Sequence, residues 1–304
     1  MSEHSENHSS QAVYVHENHW GLFPKFYIFL IFHLLCFYGL YQYAPTKDRL
    51  IVFGVFYFLT ACIGITLTYH RCLSHKAFEF RFKWMERLCA TIGTLAMQQG
   101  PIWWSSIHRI HHRYSDTEQD PHDSARGFWY AHFLWLFKLD RRWQKPYKIE
   151  SFEKMAKDLA SDPYYRWLDR YFYIPQLLSF LLLYMLGGLP WLFWGGIIRT
   201  VVVWHVTWFV NSVTHQYGYR NFNAMTGDTS TNNWWVAILA AGEGWHNNHH
   251  AFPSSAKQGF FKWWEFDITY VIIRVMKELG LAKNLREVSQ KQILSSTIHT
   301  ARAH

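Results

Sequence analysis

Leu50-Ile-Val-Phe-Gly-Val-Phe-Tyr-Phe-Leu-Thr-Ala-Cys-Ile-Gly-Ile-Thr-Leu-Thr-Tyr69 contains no charged residue. It has the length of about 20 residues that a bilayer's hydrocarbon core requires of a helix. His70-Arg-Cys-Leu-Ser-His75 follows at once. The run reads as a membrane-spanning helix that brings an imidazole out at the membrane face. Three further runs match it: about Pro24 to Tyr43, about Ile174 to Phe193 and about Gly196 to His215. Only Ala44 to Arg49 separates the first two, and a short Gly/Trp/Pro turn separates the last two. The expectation is an all-α integral membrane protein with four transmembrane helices in two hairpins. A fifth apolar run, Leu88 to Trp104, is interrupted by Gln98, Gln99, Gly100 and Pro101, and reads as an interfacial or cavity-lining helix. Four buried helices of a soluble core are the weaker reading, since two hairpins of this length and aromatic load exceed what a small core holds.

The chain has 304 residues, half of them hydrophobic and 19% aromatic, enough for one large domain. Three parts are expected: a polar tail over 1–20, a main domain over 21–285 and a polar tail over 286–304. The N-terminal tail lacks the basic start and small-residue cleavage site of a signal peptide and is expected to stay. Its His4, His8, His16 and His19 read as solvated tail. Cys36, Cys62, Cys72 and Cys89 lie in or beside apolar runs without CxxC spacing, which suits buried thiols in a reducing compartment. Most of the 30 Lys+Arg lie between Arg71 and Arg170 or from Arg220 onward, while the short loops hold Lys47 and Arg49, with Arg199 just past the second turn. Positive-inside then places the large polar segments, 70–173 and 216–285, and both termini in the cytosol. A net charge of +8 suits an anionic membrane surface or an acidic soluble partner. No nucleic-acid-binding motif accompanies the charge, and nucleic acid is set aside.

The histidines carry the chemistry. His108-Arg-Ile-His111-His112 and His246-Asn-Asn-His249-His250 repeat one spacing, i, i+3, i+4, which puts three rings on one helix face and converges them on one spot. Three protonated rings would repel and three neutral ones would waste donors, so a metal is the natural occupant. Asn247 and Asn248 are placed to support the rings by hydrogen bonds. His70 and His75 are about 140° apart on an α-helix and cannot share a face, so either the helix ends between them or they bind different ions. Asn211 and His215 share a face at the end of a span, where a buried polar pair is costly unless it binds something. Nine histidines exceed a structural zinc site, and a haem needs one or two. All-imidazole sites suit iron, copper or zinc, and a di-zinc hydrolase would usually bring bridging carboxylates. Two ions of high coordination number with open positions, used for dioxygen chemistry, fit best. Topology agrees, because every clustered histidine falls on the cytosolic side.

His70-Arg-Cys-Leu-Ser-His75, His108-Arg-Ile-His-His112 and His246-Asn-Asn-His-His250 resemble the three histidine boxes of the membrane fatty-acyl desaturases, most closely the stearoyl-CoA, or Δ9, group. Asp120-Pro-His-Asp-Ser-Ala-Arg-Gly127, Asn211-Ser-Val-Thr-His-Gln-Tyr-Gly218 and Gly242-Glu-Gly-Trp-His-Asn-Asn-His-His-Ala-Phe-Pro253 are the firmest parts of the likeness, which runs from about Tyr69 to Leu281. The resemblance implies a cytosolic cap on the four spans, holding two iron ions. Their ligands would be His70, His75, His108, His111, His112, His215, His246, His249 and His250, with Asn211 acting through a bound water. It also implies a kinked tunnel for a long acyl chain, with Gln98, Trp104, Thr207 and Trp208 around the kink, whose plain reading is interfacial packing. The implied reaction uses O2 and two electrons to place a cis double bond, Δ9, in a saturated chain.

Ser106 departs from the animal acyl-CoA members, which carry a basic residue there, and Gln99-Gly-Pro-Ile-Trp-Trp-Ser looks more like bacterial and plant-type relatives. The carrier is therefore open between acyl-CoA, which is favoured, and acyl-lipid. Arg71 and Arg109 are candidates to hold phosphates, and Arg141, Arg142 and Lys145 read as solvated surface. The sequence holds neither His-Pro-Gly-Gly nor a thiolate cluster, so the electron donor is separate, of cytochrome b5 or ferredoxin type. The expected location is a bacterial inner membrane or the endoplasmic reticulum. A membrane fatty-acid or sterol hydroxylase and a metal transporter or storage protein are the competing readings. The transporter would need polar residues along a path inside the spans; His33 and His205 are the only intramembrane candidates, and both read as helix-packing groups.

Overall fold

The computed structural model describes residues 23–138 and 154–298. The four tail histidines and Arg141, Arg142 and Lys145 lie outside them. Among the described residues, three helical stretches are long and apolar enough to cross a membrane: Lys25–Gln42, Lys47–Ser74 and Tyr173–His215. Their outward side chains are bare. Leu34, Phe37, Leu178 and Leu182 are each more than half exposed, as lipid-facing residues would be.

Tyr173–His215 is one helical stretch only in outline. At Gly187 and Gly188 the backbone leaves helical geometry, and Gly188 takes φ +63°. Beyond that point the chain runs back along itself. A Cβ on Gly196 would meet Phe180, one on Gly195 would meet Leu183, and Gln176 lies 3.4 Å from Thr200. The reversal expected after Phe193 thus falls at Gly187–Gly188, where glycine permits the positive φ and Pro190 follows. Arg199, expected just past the second turn, is fully buried in the helix Arg199–Ser212. Its guanidinium donates to the carbonyls of Gly195 and Leu95 and to Gln176 Oε1.

The helix α2 (Lys47–Tyr57) passes without a break into a π-helix, Phe58–Ser74. Hydroxyls support the wider turn: Thr66 donates to Ala61 O at 2.9 Å, Thr68 to Ile63 O at 2.7 Å and Ser74 to Tyr69 O at 2.7 Å. Each reaches five residues back, which also satisfies a polar group buried in a span. Against this segment packs α3 (Lys83–Thr94). A Cβ on Gly64 would stand 2.6 Å from Gly93 Cα, so only glycine allows the two backbones this approach.

The run Leu88 to Trp104 is two helices rather than one. α3 ends at Thr94, Met97 and Gln99 take positive φ, and α4 (Pro101–Tyr114) starts on a proline. The break needs partners for its carbonyls, and Arg199 and Trp204 donate to Leu95 O and Ala96 O. It turns Gln98 inward. The third histidine box lies on a short helix, His246–Ala251. β1 (Glu79–Phe80) and β2 (Ala282–Lys283) pair antiparallel, with Glu79 opposite Lys283 and Phe80 opposite Ala282, and tie the segment after the π-helix to the C-terminal region.

Candidate metal centre and substrate cavity

The nine histidines gather into two adjoining clusters. In the first, nitrogens of His70, His75, His108, His112 and His249 lie within 4.8 Å of one another; in the second, those of His111, His215, His246 and His250 do. Each triplet therefore divides instead of converging on one spot. Residues i and i+4 are separated by about 40° around a helix, but i+3 and i+4 by about 100°. His108 and His112 share the first cluster while His111 turns to the second. His246 and His250 share the second while His249 turns to the first.

His70 and His75 do share a cluster, against the α-helical expectation. The π-winding is the reason: five residues make little more than one turn, and His75 N bonds to His70 O at 3.1 Å. His215 joins from the turn that follows the helix Arg199–Ser212, and Asn211, one turn earlier, lines the cavity described below.

The outer nitrogens decide how the rings are protonated. Asp120 stands 2.8 Å from His111 Nδ1, Asp116 2.9 Å from His215 Nδ1, Asp228 2.5 Å from His250 Nδ1 and Glu243 2.5 Å from His70 Nδ1. Gln258 lies 3.1 Å from His249 Nδ1. A neutral ring has one proton, and a facing carboxylate draws it outward. His111 and His250 then turn Nε2 lone pairs toward each other, 3.3 Å apart. The Nε2 atoms of His215 and His246 also meet at 3.0 Å, as do those of His70 and His249, although Gln258 presents its donor Nε2 to His249 Nδ1. Donors 2.0–2.1 Å from one ion at right angles would be about 3 Å apart. The residues fit a metal pair.

Burial, then the neighbouring imidazoles, holds His75, His108, His112, His246 and His249 well below the usual 6.5, so these rings stay neutral and ligand-ready. Burial also pulls His250 down to about 4, against the pull of Asp228. His111 alone among these is raised: burial opposes its charge, but Asp120 outweighs burial. Asp116, Asp120 and Asp228 all sit below the carboxylate range, because the facing histidines overcome the desolvation that would raise them.

These carboxylates were not singled out from sequence. Asp120 and Glu243 lie in quoted motifs, but nothing in the pattern marks Asp116 or Asp228 as partners of distant histidines. Asn247 and Asn248, expected to support the rings, instead fasten their helix to neighbouring segments. Asn247 Oδ1 accepts from Asn221 N and Phe222 N, and Asn248 Nδ2 donates to Gln258 O and Glu265. Arg71 and Arg109 are not available to phosphates. Arg71 is fully buried, paired with Asp267 at 2.9 Å and Glu243 at 3.2 Å. Arg109 holds Asp158 at 2.7 Å and the carbonyls of Leu73, Ser74 and Met155.

An open cavity leads to the clusters. Gln98, Trp104, Thr207 and Trp208 all line it, together with His108 and Asn211. Trp104 Nε1 donates to Gln98 Oε1 at 3.1 Å, Gln98 Nε2 to Thr207 Oγ1 at 2.9 Å, and Thr207 to Val203 O at 2.9 Å. A smaller cavity beyond Trp104 and Thr207 is bordered by His70, Glu243 and His246.

Helical stretches fit to cross a membrane and buried histidine clusters at their ends define a membrane metalloenzyme type of architecture. The family model described as fatty acid desaturase matches residues 49–275. The chain is 46% identical to an sn-2 palmitoyl-lipid 9-desaturase of Nostoc sp. (strain 36), over 84% of this chain and 87% of that one. It is 45% identical to an sn-1 stearoyl-lipid 9-desaturase of Anabaena variabilis, over 84% and 91%, and 42% identical to an acyl-CoA C20 Delta5-desaturase of Anemone leveillei, over 89% and 84%. The chain belongs to the fatty acid desaturase family, and is an acyl desaturase and oxidoreductase.

Proposed function

We propose that this enzyme places a cis double bond at Δ9 of a long saturated acyl chain, using O2 at two iron ions. The observation that carries the reading is the gathering of nine histidine rings into two adjoining clusters, in which the Nε2 atoms of His111 and His250 face each other while Asp120 and Asp228 hold their Nδ1 atoms. The first ion would be held by His70, His75, His108, His112 and His249, the second by His111, His215, His246 and His250, with Asn211 acting through water. Bound iron would supply the oxidation of two neighbouring C–H bonds: one O2, two electrons and two protons go in, and the alkene and two waters come out.

The chain's own residues do the positioning. The hydrogen-bonded row Trp104–Gln98–Thr207 forms a stiff wall where the two cavities meet, suited to bending an acyl chain and fixing one carbon pair beside His108. Tryptophan and phenylalanine along the cavity keep water out. Burial keeps His75, His108, His112, His246 and His249 neutral, so these rings do not compete as acids.

The reading includes four spans and a cytosolic cap formed from 70–173 and 216–285 within a domain over 21–285, in a bacterial inner membrane or the endoplasmic reticulum. A separate donor of cytochrome b5 or ferredoxin type would supply electrons. The occupation of Arg71 and Arg109, and the complete burial of Ser106, favour a lipid-borne acyl chain over acyl-CoA. The test is expression in a host lacking Δ9 desaturation, with methyl-ester analysis of separated lipid and CoA pools after a saturated-acid pulse. Monounsaturated chains arising first in lipid support the reading. Hydroxylated chains alone would replace it with the hydroxylase, and metal flux into vesicles without an oxidised product would revive a transporter.

A further inference from the structure

Three histidines outside the metal clusters join end to end. His33 stands on α1 (Phe23–Gln42), His205 on the helix Arg199–Ser212 and His132 on the π-wound turn Tyr130–Leu134. His33 Nε2 lies 3.0 Å from His205 Nε2, and His205 Nδ1 lies 3.0 Å from His132 Nε2. The ends are tied too: His33 Nδ1 is 2.6 Å from Phe29 O, and His132 Nδ1 is 2.9 Å from Ser212 Oγ.

A carbonyl only accepts, so His33 Nδ1 holds that ring's proton and its Nε2 offers a lone pair. His205 Nε2 must donate to it, which leaves His205 Nδ1 to accept from His132 Nε2. His132 Nδ1 then faces the Ser212 hydroxyl, whose single proton it shares with Trp208 O, 2.8 Å from Oγ. Neutral rings satisfy both ring-to-ring joints and the tie to Phe29 O. Burial, with His205 nearby, pulls His132 down to about 4, which keeps it neutral near pH 7.

Trp208 sits in the crook of this row. Its ring is edge-on to His205 at 5.2 Å and to His132 at 5.8 Å, with Phe29 at 6.0 Å. The three elements that the histidines join also wall the larger cavity: Phe29 comes from α1, Trp135 and Leu136 follow the π-wound turn, and Trp204 and Trp208 come from the helix of His205. A change in the row moves these walls relative to one another.

We propose that His33, His205 and His132 are positioning residues that set the width of the acyl cavity and, through Trp208, select the acyl chains that reach the metal clusters. The inference rests on the larger cavity being the acyl site. The full chain and its His33→Leu, His205→Leu and doubly substituted forms are expressed in the same desaturation-deficient host. The ratio of palmitoyl to stearoyl products and the iron content are measured. Each single substitution shifts the ratio about fivefold, the worth of one hydrogen bond, and the double shifts it no further than the larger single, because the row is already broken. His205→Gln, which keeps a donor and an acceptor, returns the ratio to within about twofold of the parent. An unchanged ratio at parental iron content overturns the inference, as does a double shift equal to the product of the singles. Should the leucine forms fail to accumulate, the ratio is read in His132→Asn, where a shift upholds the inference and parental selectivity overturns it. Absence of any unsaturated product from the parent refutes the desaturase reading; parental product with unaltered selectivity in the variants refutes only the positioning role.

Discussion

Asp228→Asn isolates the second cluster. Asp228 Oδ1 accepts from Ser230 N at 2.8 Å, and Oδ2 faces His250 Nδ1 at 2.5 Å. Both neighbours are donors. Asparagine has one oxygen, so its NH₂ must meet one of them, whichever way the amide is turned. The loss is one charge-assisted hydrogen bond, about 1.5–3 kcal/mol. Through His250 that corresponds to about 10–100-fold weaker metal retention, the range found for groups that orient metal-bound histidines. Among the described residues Asp228 bonds to no member of the first cluster, so one of two ions should leave early and the other at the parental rate. The assay is iron release from detergent-purified enzyme into excess chelator, followed by absorbance. The parent should release iron in one slow process or two close ones, and the variant should show a fast phase of about half the amplitude, by the one-ion-per-cluster arithmetic. Asp162→Asn, which alters the partner of Arg87 on the surface, serves as the control and should match the parent. Release of both ions at the parental rate, or equal acceleration of both, would refute the coupling of Asp228 to a separate second site.

Other outcomes follow from the same geometry. Gln98→Leu should remove the link between Trp104 and Thr207 and lower turnover about 5–30-fold with iron content unchanged, measured by product formation per iron; parental turnover would sink the wall's role. Arg71→Met should leave Glu243 and Asp267 as buried charges without their partner and destabilise the fold by about 3–5 kcal/mol, read as a lowered denaturation midpoint. Gly64→Val should disrupt the contact with Gly93 and cut the yield of folded protein on size exclusion, since the intruding atoms would meet backbone. In metal-stripped protein, the depressed His75, His108, His112, His246 and His249 stay neutral where the unfolded chain takes up protons. Their contribution is therefore present above pH 6.5 and lost as pH falls below it, so the denaturation midpoint should drop from pH 7.5 to pH 5; a rise would contradict the assignment.

The sequence by itself determined the kind of protein. Apolar runs show in composition because lipid imposes a length on them, and repeated i, i+3, i+4 histidines show because a helix has a fixed period. The four cavity residues, Gln98, Trp104, Thr207 and Trp208, were within reach once the resemblance was drawn. The allocation of histidines to ions was not legible. An α-helical period separates His70 from His75, and only the π-winding of Phe58–Ser74, held by hydroxyls reaching back to carbonyls, brings them together. Asp116 and Asp228 reach His215 and His250 across 99 and 22 residues, contacts that no local pattern encodes. The same holds for His132, which completes the row with His33 and His205. Periodicity is a property of neighbouring residues along the chain, whereas protonation and ligand choice are set by what packing places within a few ångströms.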